Sequence, residues 1–171
     1  ITWSGPSLID SFGAAEGVDD ITFDCFNDVL AEQGEGTGWR MGLVASKALT
    51  TRKTGVWARD AQLWGGNLSV LCSLLGSRYF PEVSGGVLFL EDVGEHPYRI
   101  ERLLTQLLHA GVLARQKAIV LGHFTEYKTV PNDRGFGMPT VLAWLRSQLK
   151  VPVLTDLPFG HVATRICLPV G

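Results

Sequence analysis

The segment Gly86-Val87-Leu88-Phe89-Leu90-Glu91-Asp92 decides the fold of this chain. It begins with a short run that has no polar side chain, which is typical of a β-strand buried on both faces of a sheet. Two carboxylates follow the run directly, and burying them is costly unless another group pairs with them. In open α/β sheets, ligands and catalytic groups collect at the carboxyl ends of strands. The segment therefore predicts a central strand that presents Glu91 and Asp92 at a functional edge of a sheet.

Apolar runs and helical periodicity alternate around this strand. Apolar residues at i, i+3, i+4, i+7 and i+8 from Ile100 predict a helix between Pro97 and Gly111. The other predicted elements are strands at 117–122, 151–154 and 163–170, helices at about 23–33 and 140–149, and a short helix opened by residues 63–67. Such strand–helix–strand units imply an α/β architecture with a mixed, partly parallel sheet and flanking helices.

Two further segments are not assigned to these strand–helix–strand units. Residues 1–20 are rich in Gly, Ser and Asp, which is typical of a connecting segment. The stretch from Trp39 to Ala58 alternates in a way that predicts a β-meander or hairpin. In the helix at 23–33, Phe23, Phe26, Val29 and Leu30 are expected to share the buried face.

Composition excludes several classes of protein. With 171 residues and a hydrophobic fraction of 46%, the chain can bury a proper core. The net charge of −2 and the lack of a Lys/Arg run argue against binding to nucleic acid or anionic lipid. No apolar stretch approaches the roughly 20 residues of a membrane span. Cys25, Cys72 and Cys167 are widely spaced, which indicates reduced thiols in a cytoplasmic protein.

Glu91 and His161 are the candidate catalytic pair. His161 follows the predicted strand 151–154 in the loop Pro158-Phe159-Gly160-His161. If the two strands are neighbours, the carboxylate can accept a hydrogen bond from one ring nitrogen and leave the other as a general base. Asp92 competes for this role, because alternation points the two acids to opposite faces. A surface carboxylate and a histidine in a turn are the alternative interpretation.

A metal site is a weaker interpretation of the same region. Glu91, Asp92, Glu95 and His96 form a dense group of potential ligands, which His109 and His123 could join. The group contains only one histidine, and helical metal motifs need ligands one turn apart. Glu95-His96-Pro97 fits a helix entry better, with its acid near the positive end of the helix dipole. We therefore expect no metal.

The stretch Trp64-Gly65-Gly66-Asn67 could bind an anion or carboxylate, because glycines let a ligand approach the backbone before a helix N-terminus. A tight turn capped by Asn67 is the alternative. Trp64 and Asn67 are accordingly the candidate substrate-binding residues. No serine or cysteine lies in a nucleophile elbow such as G-x-S-x-G after a strand, so the hydrolytic triad lacks its third member.

Four blocks of sequence resemble the LD-carboxypeptidases, the muramoyltetrapeptide carboxypeptidases of bacterial peptidoglycan recycling. The blocks are Leu63-Trp64-Gly65-Gly66-Asn67-Leu68, the stretch from Leu90-Glu91-Asp92 to Arg102, the stretch 106–119, and Phe159-Gly160-His161. The resemblance extends from about Ser4 to Pro169, which is nearly the whole chain.

The resemblance implies a Ser-Glu-His triad with Glu91 as its acid and His161 as its base. The family's serine lies in a Gly-x-Ser-Asp turn of an N-terminal domain, and that motif is absent from this sequence. Residues 1–20 would then be the linker from a missing N-terminal domain, and residues 21–171 the C-terminal catalytic domain. The implied fold resembles a swivelling β/β/α domain.

The resemblance also implies an activity. The intact enzyme would release the terminal D-alanine from murein tetrapeptides in the cytoplasm, without cofactor. Relatives commonly form dimers, so the resemblance allows a homodimer, although the sequence does not determine the oligomeric state. An immunity peptidase of the same family, which acts on microcin C, is an alternative that the stretch Glu95–Arg99 disfavours. This chain alone is expected to be inactive, as a binding or assembly module would be.

Overall fold

A parallel sheet forms the centre of the protein. The computed structural model describes residues 2–34, 36–40, 56 and 58–171. Four strands pair in the order β2-β3-β4-β5, and all three pairings are parallel. These strands are β2 (Leu63–Asn67), β3 (Val87–Val93), β4 (Ala118–Thr125) and β5 (Val153–Leu154). The α/β class predicted from sequence is confirmed, with a separate antiparallel pair formed by β1 (Thr2–Ser4) and β6 (Leu168–Val170).

Helices cover the sheet. They are α1 (Asp20–Leu30), α2 (Leu68–Ser73), α3 (Pro97–His109) and α4 (Met138–Gln148), with a π-helical turn at Leu8–Phe12 and 3-10 turns at Leu113–Arg115 and Pro131–Asp133. The helix predicted after Pro97 is confirmed, with the proline in its first turn. Within the described part of the chain, no helix combines the length and apolarity needed to cross a bilayer.

Strand β3 is buried on both faces, as its apolar run predicts. Leu88 and Leu90 belong to a core cluster under α2, α3 and α4, whereas Phe89 belongs to a second cluster on the opposite face. The alternation of side chains along the strand produces this division. The strand continues through Glu91 and Asp92 to Val93, so the two acids lie within the paired length of the strand and not beyond it.

The segment Leu63–Asn67 is a strand, which was not predicted, whereas the short helix predicted to follow it is present as α2 with Leu68 and Leu71 buried. It pairs with β3 from Leu63 opposite Val87 to Asn67 opposite Glu91. A side chain at Gly65 would bring its Cβ within 1.9 Å of the Phe89 carbonyl oxygen, so only glycine lets the two strands approach.

The ends of the chain differ from the predictions in detail. Helix α1 begins earlier than expected because the Asp19 carboxylate caps it by accepting the Thr22 N–H at 3.0 Å. Its predicted inner face is partly wrong, since Phe23 and Leu30 are exposed. The first twenty residues contain β1 and the π-helical turn. The predicted meander from Trp39 to Ala58 lies largely outside the described residues.

Candidate active site

Glu91 lies beside an irregularity in the sheet. Between Leu90 and Asp92, the pairing with β4 shifts by one residue, so that β4 carries an extra residue near Gly122. Such a bulge disrupts the ladder and redirects side chains, and bulges are frequent near active sites. Glu91 is only 5% exposed at this position. The bulge therefore lies directly beside Glu91, whose Cβ is 3.4 Å from where a Cβ at Gly122 would be.

His161 reaches Glu91 although their strands are not neighbours, which corrects the premise drawn from the sequence. Strand β4 lies between β3 and β5 in the sheet. The loop after β5 crosses the end of β4, where the Leu157 N–H donates to the Leu121 carbonyl and the His123 N–H donates to the Phe159 carbonyl. These backbone bonds carry the histidine across one strand.

Two glycines allow the crossing. A Cβ at Gly122 would lie 2.5 Å from the Phe159 carbonyl oxygen, and one at Gly160 would lie 3.2 Å from Glu91 Oε2. Gly160 also has a φ of +122°, which other residues rarely adopt. The Gly160 that precedes His161 is therefore needed both for backbone conformation and for the space that the carboxylate occupies.

The predicted contact between the two side chains is present. His161 Nδ1 lies 3.4 Å from Glu91 Oε2, and the histidine side chain is 38% exposed while the glutamate side chain is 6% exposed. The distance is long for a hydrogen bond, and catalytic hydrogen bonds are often long before substrate binds. Among the described residues, no hydrogen bond engages Nε2 of His161. The arrangement can hold one ring nitrogen as a donor and offer the other to a substrate or nucleophile.

Asp92 has a structural role in place of the catalytic role considered for it from the sequence. Its Oδ2 accepts the Ser69 N–H at 2.9 Å and the Ser69 hydroxyl at 2.6 Å. Its Oδ1 accepts the Asn67 side-chain amide and the Val93 N–H, each at 2.9 Å. These bonds tie the start of α2 to β3 and satisfy a carboxylate that is 3% exposed. The geometry therefore distinguishes the roles of the two acids, a question that their spacing in the sequence left open.

Asn67 links the helix cap to the candidate pair. Its Oδ1 accepts the Val70 N–H at 3.0 Å, as an N-cap of α2. This bond turns Nδ2 toward the acids, where it lies 2.9 Å from Asp92 Oδ1 and 3.4 Å from Glu91 Oε1. Asn67 is thus placed to orient Glu91. Its predicted contact with substrate stays a prediction.

Trp64 lies in the core. It is 3% exposed, and its Nε1–H donates to Gln116 Oε1 at 3.0 Å. Gln116 in turn donates to the carbonyls of Val83 and Val112. This burial and pairing argue against the predicted role of Trp64 in substrate binding, because its indole has no surface to offer.

Hydrogen bonds join the start of α1 to residues 163–165, and we call this set of contacts the brace. It was not predicted from the sequence. The Thr22 hydroxyl is fully buried, accepts the Arg165 N–H at 2.7 Å and lies 3.1 Å from the Ala163 carbonyl oxygen. Asp19 Oδ2 accepts the Thr164 hydroxyl at 3.0 Å. The Asp-x-x-Thr spacing indicates a helix cap, but nothing in it predicts contacts with residues more than 140 positions away. Helix α1 thereby holds the segment that follows the histidine.

The electrostatics of the brace favour its ionised form. Burial by itself would raise the pKa of Asp19, but hydrogen bonds from the Thr22 backbone N–H and from the Thr164 and Thr22 hydroxyls lower it below the ordinary value of 3.8. The carboxylate therefore remains charged at neutral pH while it caps α1.

His161 faces a cleft of about 660 Å³. The cleft lies between the π-helical turn, the start of α1 and the histidine loop. Its acidic lining consists of Asp10, Glu16, Asp19, Asp20 and Glu126. A lining of this kind attracts basic groups and repels acidic ones.

The potential metal ligands near Glu91 do not converge in the structure. Glu95 pairs with Arg99 on the surface of α3, and His96 Nε2 lies 3.0 Å from Asp133 Oδ2. The Val130 backbone N–H, and with it His96, holds the pKa of Asp133 below its ordinary value. Among the described residues, no three His, Cys, Asp or Glu side chains form a group that could hold a metal ion.

Comparisons with known proteins agree with this architecture. The model of the LD-carboxypeptidase C-terminal domain matches residues 60–171. A murein tetrapeptide carboxypeptidase of Pseudomonas aeruginosa is 35% identical over 115 residues, which is 66% of this chain and 36% of that protein. The microcin C7 self-immunity protein MccF of Escherichia coli is 28% identical over 191 aligned positions, which cover 100% of this chain and 55% of that protein.

The solved structures include a muramoyltetrapeptide carboxypeptidase from Oxalobacter formigenes, at a TM-score of 0.80 and 39% identity over 99% of this chain. The alignment covers 55% of that protein, so the chain spans about half the length of this relative. The matched domain accounts for more than half of the chain, and its sequence blocks include both members of the candidate pair. The chain therefore belongs to the LD-carboxypeptidase family and contains its C-terminal domain.

Proposed function

We propose that this chain supplies the acid and the base of a Ser-Glu-His triad in a serine carboxypeptidase, with Glu91 and His161 in these roles. The observation that carries the proposal is the contact of 3.4 Å between His161 Nδ1 and Glu91 Oε2. The buried acid and half-exposed ring match what a triad requires, since the acid must stay in place while the base meets substrate.

The chemistry follows from the two ring nitrogens. Glu91 keeps the proton on Nδ1 and stabilises the imidazolium, so Nε2 can accept a proton from a serine hydroxyl as it attacks the substrate carbonyl. His161 then returns this proton to the leaving amine. The serine lies outside this chain in our proposal, because the sequence lacks the Gly-x-Ser-Asp turn that the family resemblance implies for it.

The proposed substrate is a murein tetrapeptide whose terminal D-alanine is released. The relatives from Pseudomonas aeruginosa and Oxalobacter formigenes, named for this activity, support the choice. We further propose that the intact enzyme acts in the cytoplasm and pairs as a homodimer, which its elution volume in gel filtration would test.

The test is D-alanine release by the full-length protein from a murein tetrapeptide. His161→Ala should abolish most of the release. His109→Ala should leave it unchanged, because His109 is exposed in the last turn of α3. The 171-residue chain without the rest of the protein should release nothing. Release by the isolated chain, or full activity of His161→Ala, would overturn the proposal.

The match to MccF over the whole chain favours a second candidate, hydrolysis of an aminoacyl-nucleotide conjugate. Both reactions would use the same pair, so the site geometry alone does not separate them. Parallel turnover measurements on the two substrates with the full-length protein would decide. A higher kcat/KM for the conjugate would replace the murein peptide as substrate and would leave the triad assignment in place.

A further inference from the structure

Two of the three cysteines meet where α1 packs against the segment before β6. Cys25 lies on α1, and Cys167 directly precedes β6. The Cys167 backbone N–H donates to Cys25 Sγ at 3.1 Å, across 142 positions of sequence. The two thiols are also close enough to interact with each other. The tertiary fold therefore creates a thiol pair that spacing in the sequence does not suggest.

The pair is open to small molecules. Cys25 and Cys167 both line a pocket of about 260 Å³, together with Trp3, Asp28 and Val29. Cys25 is half-buried, whereas Cys167 is 5% exposed. Cys25 is therefore the more accessible of the two thiols to a reagent in the pocket.

Protonation supports this order of reaction. Burial, and after it the neighbouring Cys25, raise the pKa of Cys167 to about 12. Cys167 therefore remains a thiol at neutral pH. Thiol oxidation also follows exposure, and Cys25 is the more exposed of the two sulfurs, which makes it the first site of oxidation.

Cys72 provides an internal comparison. Its Sγ lies 3.4 Å from the Leu103 carbonyl oxygen, under α3. Burial, and then the charge of Asp92, raise its pKa to about 11. Cys72 has no second cysteine beside it in the described residues, so it cannot close an intramolecular disulfide with a local partner.

A metal is a poorer interpretation of the pair. A structural zinc site needs four ligands from Cys, His or carboxylate side chains. Among the described residues, no group of three such side chains is present, here or elsewhere. Disulfide formation needs only the two sulfurs and Cα atoms within about 7 Å, which fits a sulfur already in contact with the other residue's backbone.

We propose that Cys25 and Cys167 form an oxidative modification site, at which a peroxide drives formation of a disulfide. The Cys25 sulfur attacks one peroxide oxygen, the O–O bond breaks, and Cys25 becomes a sulfenic acid with release of water. The Cys167 sulfur then attacks the Cys25 sulfur, the S–O bond breaks, and the hydroxyl leaves as water with the Cys167 proton. The two sulfurs together lose two electrons and two protons, which reduce the peroxide to water.

The disulfide would join α1 to the segment that follows His161, which α1 already contacts. Thr22 and Asp19 of the α1 start contact residues 163–165, and Cys25 contacts residue 167 one turn later. A disulfide would add one covalent bond to these contacts between α1 and residues 163–167. We therefore expect slower amide exchange at residues 163–167 and a higher melting temperature in the oxidised protein. These effects do not depend on the proposed carboxypeptidase activity.

The test treats the full 171-residue chain with hydrogen peroxide and counts free thiols. The count should fall from three to one, the intact mass should drop by two hydrogen atoms, and peptide mapping should find Cys25 joined to Cys167. Cys72→Ser should behave like the wild type in forming this bond. Cys25→Ser and Cys167→Ser should each lose it, and a reductant should restore all three thiols of the wild type.

Three outcomes would overturn the proposal. They are a disulfide that includes Cys72, a crosslink found only between separate chains on a non-reducing gel, and oxidation of Cys25 beyond sulfenic acid with no disulfide. Peptide mapping of the wild type distinguishes these outcomes without any variant. The result therefore holds even if Cys25→Ser or Cys167→Ser misfolds.

Discussion

Replacement of Glu91 by glutamine gives the sharpest test of the candidate site. The change keeps the size of the side chain and alters only which atoms donate. Asn67 Nδ2 faces Glu91 Oε1 at 3.4 Å, and the Val70 N–H holds Asn67 in this orientation. The glutamine oxygen must therefore face Asn67, and its amide NH₂ must face His161 Nδ1.

The expected loss follows from this orientation. A donor opposite Nδ1 makes that nitrogen an acceptor, and the ring proton moves to Nε2. An imidazole with its proton on Nε2 cannot accept one from a serine. The same change of acid to amide in a serine-protease triad lowers kcat about 10⁴-fold through the wrong tautomer. We expect a loss of about 10³- to 10⁴-fold here, or about 4–5 kcal/mol in the barrier at 1.36 kcal/mol per tenfold.

Two assays check this expectation separately. Nitrogen-15 NMR of His161 in this chain should show the proton on Nδ1 in the wild type and on Nε2 in Glu91→Gln. D-alanine release by the full-length variants should then show the loss of kcat. Glu95→Gln is the matched control, because it makes the same chemical change in a carboxylate that pairs with Arg99 and not with His161.

The outcomes are distinguishable. If the tautomer does not change in Glu91→Gln, the inferred geometry around Asn67 is wrong. If the tautomer changes and kcat stays at the wild-type level, Glu91 is not part of the catalytic machinery.

Further predictions concern the brace and the core. Thr22→Val should leave the Arg165 N–H without its acceptor, destabilise the chain by about 1–3 kcal/mol in urea unfolding and speed amide exchange at Arg165, whereas Thr22→Ser should restore both. Trp64→Phe should cost about 1–3 kcal/mol, because it orphans the buried Gln116 oxygen, and should leave KM for the peptide unchanged in the full-length enzyme; a raised KM would restore Trp64 as a substrate contact. The lowered pKa of Asp19 stabilises the fold above its ordinary value of 3.8, and this contribution is lost as pH falls through the lower native value; the unfolding midpoint of Asp19→Asn should therefore be less sensitive to pH below about 4 than that of the wild type.

The elements near β3 were predictable because their signals are local. The apolar run before Glu91 identifies a strand buried on both faces, and the spacing from Ile100 identifies α3. The strand at residues 63–67 was not predicted, since Gly65 and Gly66 look like a turn in sequence. They form a strand because β3 passes so closely that no side chain fits at Gly65. That constraint comes from a neighbour 24 residues away.

The residues of the site could be predicted from the sequence, but the contacts that position them could not. The resemblance to a family singled out Glu91 over Asp92, and the hydrogen bonds of Asp92 to Ser69 explain the difference physically. The expectation that the two strands are adjacent was wrong, because β4 separates them. The brace at Thr22 and the pair of Cys25 with Cys167 had no signal in the sequence.

The sequence by itself determined the buried strand before Glu91, the helix after Pro97 and which residue types could perform hydrolysis, because periodicity and side-chain chemistry are properties of neighbouring residues. Only the tertiary structure decided that His161 crosses β4 to meet Glu91, and that α1 holds the segment behind it. The reason is that such contacts depend on the close approach of backbones at Gly122 and Gly160, which forms only when distant parts of the chain pack together.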